Sequence, residues 1–365
     1  MRAELKRQSN FELLRMLCML FIVCHHMIVH ALPSNPEFVI TMGSEWYGLL
    51  LLNWMCYVAV NVFILISGYF GIHIKFRGLT RFYIMLAFYG CVLYHLHLYL
   101  IDSHINRWSI YNTLFPSSNS PGLWFVKSYF VLYLLSPILN VPANALTKKQ
   151  YQISILLFTI VILYYGFYRE MEFANAGYSL SNFVYLYFIG GYLKRYVPNT
   201  PKLRIPSLSV YFLGSILLWC LVIYAEYTDS SSIWLSTVQY NHPFLVVSSI
   251  AFFLFFTTLH FSSKVINFLA PSSLAVYLLH ENVYFNSQIY SYIGNCYFAT
   301  NNRGGRLVIL FAVIILIWTI GYLVDIIRRS ITYPIEQYSI KIYNICIKKL
   351  NIRNTGKYIK WNHKK

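Results

Sequence analysis

Long apolar segments separated by short polar connections make up most of the chain. Ten of these segments are each close to the roughly 20 residues that a helix needs to cross the hydrocarbon core of a bilayer. They cover 13–32, 46–70, 82–101, 123–142, 152–168, 179–194, 207–225, 241–260, 270–292 and 305–327. The pattern predicts an all-α, polytopic transmembrane bundle of about ten helices. We expect a single membrane domain over residues 1–327, followed by a basic tail over residues 328–365.

The composition supports a membrane bundle and excludes several other classes of protein. Hydrophobic residues account for 58% of the 365 positions, charged residues for 11%, and the mean hydropathy is +0.52. A soluble domain carries about twice that charged fraction. A disordered chain and a water-soluble enzyme are therefore excluded. The seven cysteines are scattered and show neither metal-ligand spacing nor a disulfide framework, so we predict no metal site.

The net charge of +17 raises the question of a nucleic-acid partner, which the positions of the charges answer. Most Lys and Arg residues stand in clusters between apolar segments or in the tail, as topology determinants do. Under a ten-span arrangement, most of them fall on one side, which predicts that both termini are cytoplasmic. We expect an inner or plasma membrane protein with several spans, a tail that contacts anionic lipid, and no nucleic-acid partner.

The first apolar segment carries ionisable residues, which are costly inside a bilayer. Eleven steps of about 100° bring Arg15 and His26 to one helix face, roughly 16 Å apart along the axis. His30 lies on the same face, His25 points aside, and Glu12 is close enough to pair with Arg15. A polar stripe of this kind suggests a cavity that crosses most of the membrane, although interhelical hydrogen bonding is the alternative explanation for a histidine.

Five short motifs carry a resemblance to a known family. They are Asn10-Phe-Glu-Leu-Leu-Arg15 with His26 after ten further residues, Phe63-Ile-Leu-Ile-Ser67-Gly68-Tyr69-Phe70, Leu123-Trp124-Phe125-Val126-Lys127, Tyr133-Leu-Leu-Ser-Pro137-Ile-Leu-Asn140 and Tyr277-Leu-Leu-His280. Over about residues 8–330 the chain resembles the acyltransferase-3 family. Members of that family are integral-membrane O-acyltransferases that modify bacterial surface polysaccharides.

The resemblance implies an acetyltransferase that uses acetyl-CoA as donor substrate and binds no permanent cofactor. The acceptor would be a hydroxyl of a cell-surface polysaccharide or of a lipid-linked glycan. His26 would act as general base or as acyl carrier, and Arg15 would stabilise charge. His280 and Glu281 are further candidates for the catalytic group, since a carboxylate near mid-membrane needs a cationic partner or a part in proton transfer.

The connection after the second apolar segment is the candidate donor site. Lys75, Arg77 and Arg81 could hold the phosphates of an acyl-CoA, although positive-inside topology explains the same cations equally well. We assign Ser67 and Tyr69 to the same site by resemblance. The family often has two arginines three residues apart after this turn, and the spacing here is different.

Two residues at the start of the fourth apolar segment are candidates for the acceptor site. Trp124 could stack on a sugar ring, and Lys127 could hold a polar group of the glycan. Interfacial tryptophans and snorkelling lysines are the alternative explanations. Many relatives also carry an extracellular hydrolase-like domain after the membrane domain. We expect transfer here to be completed by the membrane domain or by a partner.

Two other classes of function remain open at this stage. A polysaccharide exporter or flippase would need a wide polar path and would work without acyl-CoA. A structural or sensory subunit would use the buried ionisable groups only to pair helices. Purified protein that transfers or hydrolyses acetyl-CoA would distinguish an enzyme from both. The sequence leaves the oligomeric state, including a homo-oligomer, undetermined.

The charge distribution yields a first testable prediction about topology. Cysteines introduced at positions 40, 110 and 230 should react with an impermeant thiol reagent added to sealed cells, because the ten-span arrangement places these positions outside. A cysteine at position 200 should stay unlabelled until the membrane is permeabilised. Labelling of position 200 in sealed cells would contradict the proposed orientation.

Overall fold

The structure is a computed structural model that describes residues 7–33, 35, 43–100 and 123–349, and helices contain 84% of these residues. The helices in the first half are α1 (Ser9–His26), α2 (Gly43–Cys56), α3 (Ala59–Phe70), α4 (Phe76–Leu100), α5 (Trp124–Ala145), α6 (Lys148–Thr159) and α7 (Leu180–Tyr196). Two π-helical segments, Met27–Ala31 and Ile160–Tyr168, extend α1 and α6.

The second half of the chain combines long and short helices. They are α8 (Arg204–Tyr227), α9 (Ser231–Thr237), α10 (Pro243–Thr257), α11 (Lys264–Leu269), α12 (Ser273–His280), α13 (Asn286–Phe298) and α14 (Arg303–Lys349). Together with the first half they form an all-α bundle, which confirms the predicted class.

Seven helical segments in the described part of the chain are long and apolar enough to cross a membrane. They are Ser9–Ala31, Gly43–Phe70, Phe76–Leu100, Trp124–Ala145, Lys148–Tyr168, Pro201–Tyr227 and Arg303–Cys346. A multi-pass membrane protein is therefore supported, whereas the predicted count of about ten spans is not. The cytoplasmic position of the termini stays a prediction.

The three remaining predicted spans differ from the structure for identifiable reasons. The segments 179–194 and 241–260 correspond to α7 and α10, which have only 17 and 15 residues. The segment 270–292 is not a continuous helix, because α12 ends at His280 and α13 begins at Asn286. The side-chain oxygen of Asn282 accepts from the backbone N–H of Tyr284 and so stabilises the turn between the two helices.

The last helix is longer than the sequence predicts. We expected the tenth span to end at residue 327, whereas α14 continues through Lys349. Beyond the expected end, Arg328 donates to Asp325 at 2.8 Å, and both side chains are buried. The two residues, three positions apart in α14, thus form a local ion pair. The domain boundary at 327/328 remains a prediction.

Helix α1 occupies the centre of the bundle and packs against α2, α3, α10, α12 and α14. Polar contacts fix its first turn. The side chain of Asn10 donates to the carbonyl of Phe256 at 2.9 Å, and the hydroxyl of Ser9 donates to the side chain of Asn267 at 3.0 Å. Because these groups are buried, their hydrogen bonds determine the position of α1 relative to its neighbours.

Helices α3 and α7 approach each other through glycines. A Cβ atom added at Gly68 would lie 2.1 Å from the carbonyl oxygen of Tyr187, and one added at Gly190 would lie 2.4 Å from that of Leu65. These distances are far inside van der Waals contact with rigid backbone. Only glycine permits this approach, which is typical of helix pairs in membranes.

The glycine contact generates a stability prediction. Gly68→Ala should lower the free energy of unfolding by about 1–3 kcal/mol or more, because α3 must move away from α7. Gly48→Ala in α2 is the matched control, since a Cβ there meets nothing within 4 Å. Thermal unfolding of the detergent-purified proteins measures both changes. Equal stability of the two variants would contradict the tight α3–α7 contact.

Candidate functional site

A cavity of about 310 Å³, here called the central cavity, lies between α1, α3, α5 and α12. Arg15 and His26 of α1 both line it, in agreement with their predicted position on one helix face. Ser67 from α3 and Trp124 from α5 line the opposite walls. The central cavity therefore extends along α1 from Arg15 to His26, a distance of about three helical turns.

His26 contacts the end of α12. Its Nδ1 atom lies 3.0 Å from Nε2 of His280 and 3.2 Å from a carboxylate oxygen of Glu281. The side chains of His26 and Glu281 are each 13% exposed. The structure thus brings together three of the four residues that the sequence analysis selected as catalytic candidates, across a separation of more than 250 positions.

The hydrogen bonds of His280 determine the proton positions in this cluster. Nδ1 of His280 lies 2.6 Å from the carbonyl oxygen of Val276, which only accepts, so this nitrogen carries a proton. In neutral His280, Nε2 is then an acceptor, and Nδ1 of His26 must be the donor between the two rings. Nε2 of His26 therefore retains its lone pair and can accept a proton.

The turn between α12 and α13 positions Glu281 beside His26. Glu281 is the residue after the last residue of α12, and its backbone no longer continues the helix. The hydroxyl of Tyr290, in α13, donates to the Glu281 carboxylate. A carboxylate in an apolar bundle requires such donors, and Tyr290 supplies one. Nδ1 of His26 lies 3.2 Å from a Glu281 oxygen, so the carboxylate is in salt-bridge contact with His26 when that ring is protonated.

Two further histidines surround the cluster. His25 shares a hydrogen bond of 2.7 Å with the side-chain oxygen of Asn53, which ties α1 to α2. The ring of His30 lies 5.3 Å from that of His26 and stacks on Tyr290. His25 also lines the central cavity, so it points less completely aside than the helical wheel predicts.

Arg15 lies at the other end of the central cavity. Its guanidinium pairs with Glu12 at 2.9 Å, as the sequence predicts, and its side chain is 31% exposed. At eleven residues from His26 it lies too far away to touch the same reacting atom, since the helical rise places them about 16 Å apart. Arg15 is therefore suited to hold an anionic part of a ligand whose other end reaches His26.

A second cavity, the loop cavity, adjoins the first and has a volume of about 410 Å³. Lys75, Arg77 and Arg81, the three cations of the predicted donor site, all line it. Arg15 and Ser67 line both the loop cavity and the central cavity. The predicted donor residues and two of the predicted catalytic residues, Arg15 and His26, thus border connected spaces.

The other predicted binding residues differ in their surroundings. Trp124 lies in the wall of the central cavity, where its ring contacts Tyr240 at 5.5 Å between centroids. Tyr69 is buried, its hydroxyl accepts from the side chain of Asn199, and it packs against Phe11, away from the cavities described above. Lys127 is half-buried in α5, one turn after Trp124.

Sequence reasoning missed several cations of this region. A third cavity of about 690 Å³, here called the arginine cavity, is lined by Arg7, Arg81, Arg328 and Arg329. In the sequence, Arg7 stands in a basic N-terminal cluster typical of topology determinants, and Arg328 and Arg329 stand beside Asp325. Their joint position depends on the packing of α14 against the start of α1, and no local motif in the sequence signals it.

The cluster around His26 also contains a donor set that could hold a divalent ion. Nδ1 of His26, Nε2 of His280 and a Glu281 oxygen lie within 4.8 Å of one another. Two imidazoles and a carboxylate suit several transition metals. If a metal ion bound to Nδ1 of His26, this nitrogen would have to lose the proton that it donates to His280. The hydrogen-bonded cluster and a metal centre are therefore mutually exclusive states. The spacing of His26, His280 and Glu281 in the sequence did not reveal this donor set.

Comparison with known proteins identifies the family of the chain. The family model described as an acyltransferase domain matches residues 8–323, which include every residue that lines the loop cavity and every residue that lines the central cavity except Arg7. Comparison with curated proteins and with solved structures gives no match. Because the match covers most of the chain, this membrane protein belongs to the acyltransferase-3 family.

Proposed function

We propose that this acyltransferase moves an acetyl group from acetyl-CoA to a hydroxyl of a cell-surface polysaccharide or a lipid-linked glycan, in the inner or plasma membrane. The observation that supports the proposal is the cluster of His26, His280 and Glu281, in which His26 lines the central cavity. It provides an imidazole nitrogen with a free lone pair, held in place by two neighbours. Such a nitrogen is what deprotonation of a hydroxyl requires.

The proposed step uses this nitrogen as a general base. Nε2 of His26 takes the proton of the acceptor hydroxyl while its oxygen attacks the thioester carbonyl. The tetrahedral intermediate then expels the CoA sulfur, which receives the proton from His26. Glu281 stabilises the transient imidazolium through Nδ1 and acts as a positioning residue. A covalent acyl group on His26 is the two-step version of the same transfer.

The two substrates would approach His26 along different walls of the central cavity. Lys75, Arg77 and Arg81, with Arg15 and Ser67, offer cations and a hydroxyl to the phosphates and the arm of acetyl-CoA. In this assignment Tyr69 supports α3 through packing rather than by touching the donor, because its hydroxyl already bonds to Asn199.

The acceptor would contact the aromatic wall formed by Trp124, Phe125 and Tyr240. Flat rings of this kind stack on the apolar face of a sugar, and Lys127 on the same helix would hold a polar substituent of the glycan. An exporter or flippase would need a path for a whole glycan. The volume of about 310 Å³ of the central cavity instead suits one sugar unit and an acetyl thioester.

Replacement of His26 tests the catalytic assignment. We expect His26→Ala to reduce acetyl transfer by about 10²–10⁴-fold, because the general base is lost. Abundance and membrane insertion should stay as in the wild type. Acetylation of the surface glycan, measured by mass analysis, together with transfer by purified protein, gives the readout.

The matched control for this substitution is His25→Gln, whose amide can still bond to Asn53. It should retain substantial activity, because His25 ties α1 to α2 without contacting the His280–Glu281 pair. Glu281→Gln should lower kcat while leaving the KM for acetyl-CoA close to the wild-type value. Near-native transfer by abundant His26→Ala protein would refute the mechanism.

Replacement of Lys75 and Arg77 tests the donor site. The double variant Lys75→Gln, Arg77→Gln should raise the KM for acetyl-CoA by about tenfold or more and weaken its salt dependence, because charged hydrogen bonds to phosphate are lost. Lys149→Gln removes an exposed cation outside the cavities and serves as control. An unchanged KM in the double variant would show that the two cations serve topology alone.

A further inference from the structure

The arginine cavity has a surplus of positive charge that the proposed transfer step does not use. Of its four guanidinium groups, Arg81 pairs with Glu336 at 2.9 Å, and Arg328 pairs with Asp325 at 2.8 Å. Arg7 and Arg329 form no salt bridge within the described residues. Two of the guanidinium groups that line the cavity are therefore outside salt-bridge distance of any described carboxylate.

Arg7 and Arg329 are nevertheless held in place by neutral groups. One guanidinium nitrogen of Arg7 donates to the carbonyl of Asn267 at 2.7 Å. Arg329 donates to the carbonyl of Phe268 at 3.0 Å and to the hydroxyl of Ser272 at 3.3 Å. Because a guanidinium has five N–H donors, each arginine retains donors for an anion. These contacts pre-orient the charges, which is typical of a binding site rather than of freely moving surface side chains.

The walls of the arginine cavity add aromatic surface to this charge. Phe82, Phe268 and Tyr333 line it, and the guanidinium of Arg329 lies 5.1 Å from the ring centre of Phe268. Aromatic rings and guanidinium planes are the surfaces on which purine bases stack. With a volume of about 690 Å³, the cavity has room for a nucleotide as well as for a phosphate.

The arginine cavity adjoins both other cavities. It shares Arg7 and Pro271 with the central cavity and Arg81 with the loop cavity. A single ligand can therefore extend from the arginine cavity past Arg81 to the central cavity. Coenzyme A has matching chemistry, since it carries a diphosphate in the middle and a separate 3′-phosphate beside the adenine at the end farthest from its sulfur.

We propose that the arginine cavity binds the 3′-phosphoadenosine end of the donor, with Arg7 and Arg329 as the residues that recognise the 3′-phosphate. This inference rests on the proposed function and assigns the diphosphate to the loop cavity, beside Lys75 and Arg77. Arg81 lies between the two anionic groups. The enzyme would then distinguish coenzyme A from donors that lack the 3′-phosphate.

The test compares coenzyme A with 3′-dephospho-coenzyme A on the purified full-length protein in nanodiscs of neutral lipid. Wild-type protein should bind coenzyme A at least about tenfold more tightly than 3′-dephospho-coenzyme A, because charged hydrogen bonds to a phosphate contribute this much affinity. Arg329→Gln and Arg7→Gln should each lose most of that preference. Their affinity for 3′-dephospho-coenzyme A should change by less than about twofold.

Two control variants make the comparison specific. The double variant Lys75→Gln, Arg77→Gln should weaken binding of both ligands to a similar extent, because both carry the diphosphate. Lys202→Gln removes an exposed cation outside the three cavities and should change neither affinity. Arg329→Lys keeps the positive charge but loses the planar set of guanidinium donors. It should therefore restore part of the preference for coenzyme A over 3′-dephospho-coenzyme A, which distinguishes a loss of recognition from a loss of folding.

The outcomes separate this inference from the proposed function. If the wild type binds and transfers from both donors equally well, the arginine cavity does not recognise the 3′-phosphate, although the acetyltransferase function stands. A parallel preparation in nanodiscs that contain phosphatidylglycerol measures lipid retention. If Arg329→Gln alters retention of this lipid but neither affinity, the cavity holds a lipid headgroup and the inference is wrong. If the wild type binds neither ligand, the proposed function itself fails, and this inference fails with it.

Discussion

A carboxylate buried beside two imidazoles is the constraint on which the arrangement of the bundle depends. Glu281 lies among apolar helices, where an ionised group is costly unless donors surround it. Tyr290 donates to Glu281, and His26 lies beside it, only because the chain turns between α12 and α13 and brings α13 back beside α1. The same turn ends α12 at His280, whose ring then reaches His26.

The central position of α1 follows from this constraint. A helix that carries Arg15, His25, His26 and His30 could not face lipid, so its polar side must face other helices. The bundle meets this requirement with α2, α3, α10, α12 and α14 around it. The glycine contact between α3 and α7 allows close packing behind Ser67, on the wall of the central cavity opposite α1. Close helix packing and the pairing of buried polar groups therefore form the central cavity together.

The parts of the site that the sequence predicts are those encoded by local periodicity. The helical repeat alone places Arg15 and His26 on one face, and the cluster Lys75, Arg77 and Arg81 is contiguous enough to form one surface. Hydropathy does not reveal the turn after His280, because apolar residues continue on both sides of it and the break depends on the side chain of Asn282. Hydropathy likewise overestimated α7 and α10 as spans of full length.

The remaining errors concern contacts between distant parts of the chain. Arg7 and Arg329 face one cavity although more than 300 residues separate them, and nothing local to either residue indicates the other. Ser67 and Tyr69 belong to one motif, yet successive helix positions differ by about 100°, so only Ser67 lines the cavities described above. Such placements depend on tertiary packing rather than on local propensity.

Helix α14 is long enough to carry side-chain contacts to other helices near both of its ends. Near its start, Arg306 is clamped to Glu45 at 2.6 Å; thirty residues later, roughly 45 Å along the axis, Glu336 holds Arg81 of α4. Pro334 lies just before Glu336 and removes one hydrogen bond of the helix. The last turns of α14 therefore have less helical hydrogen bonding to resist bending, so Glu336 joins Arg81 of α4 to the most deformable part of this helix.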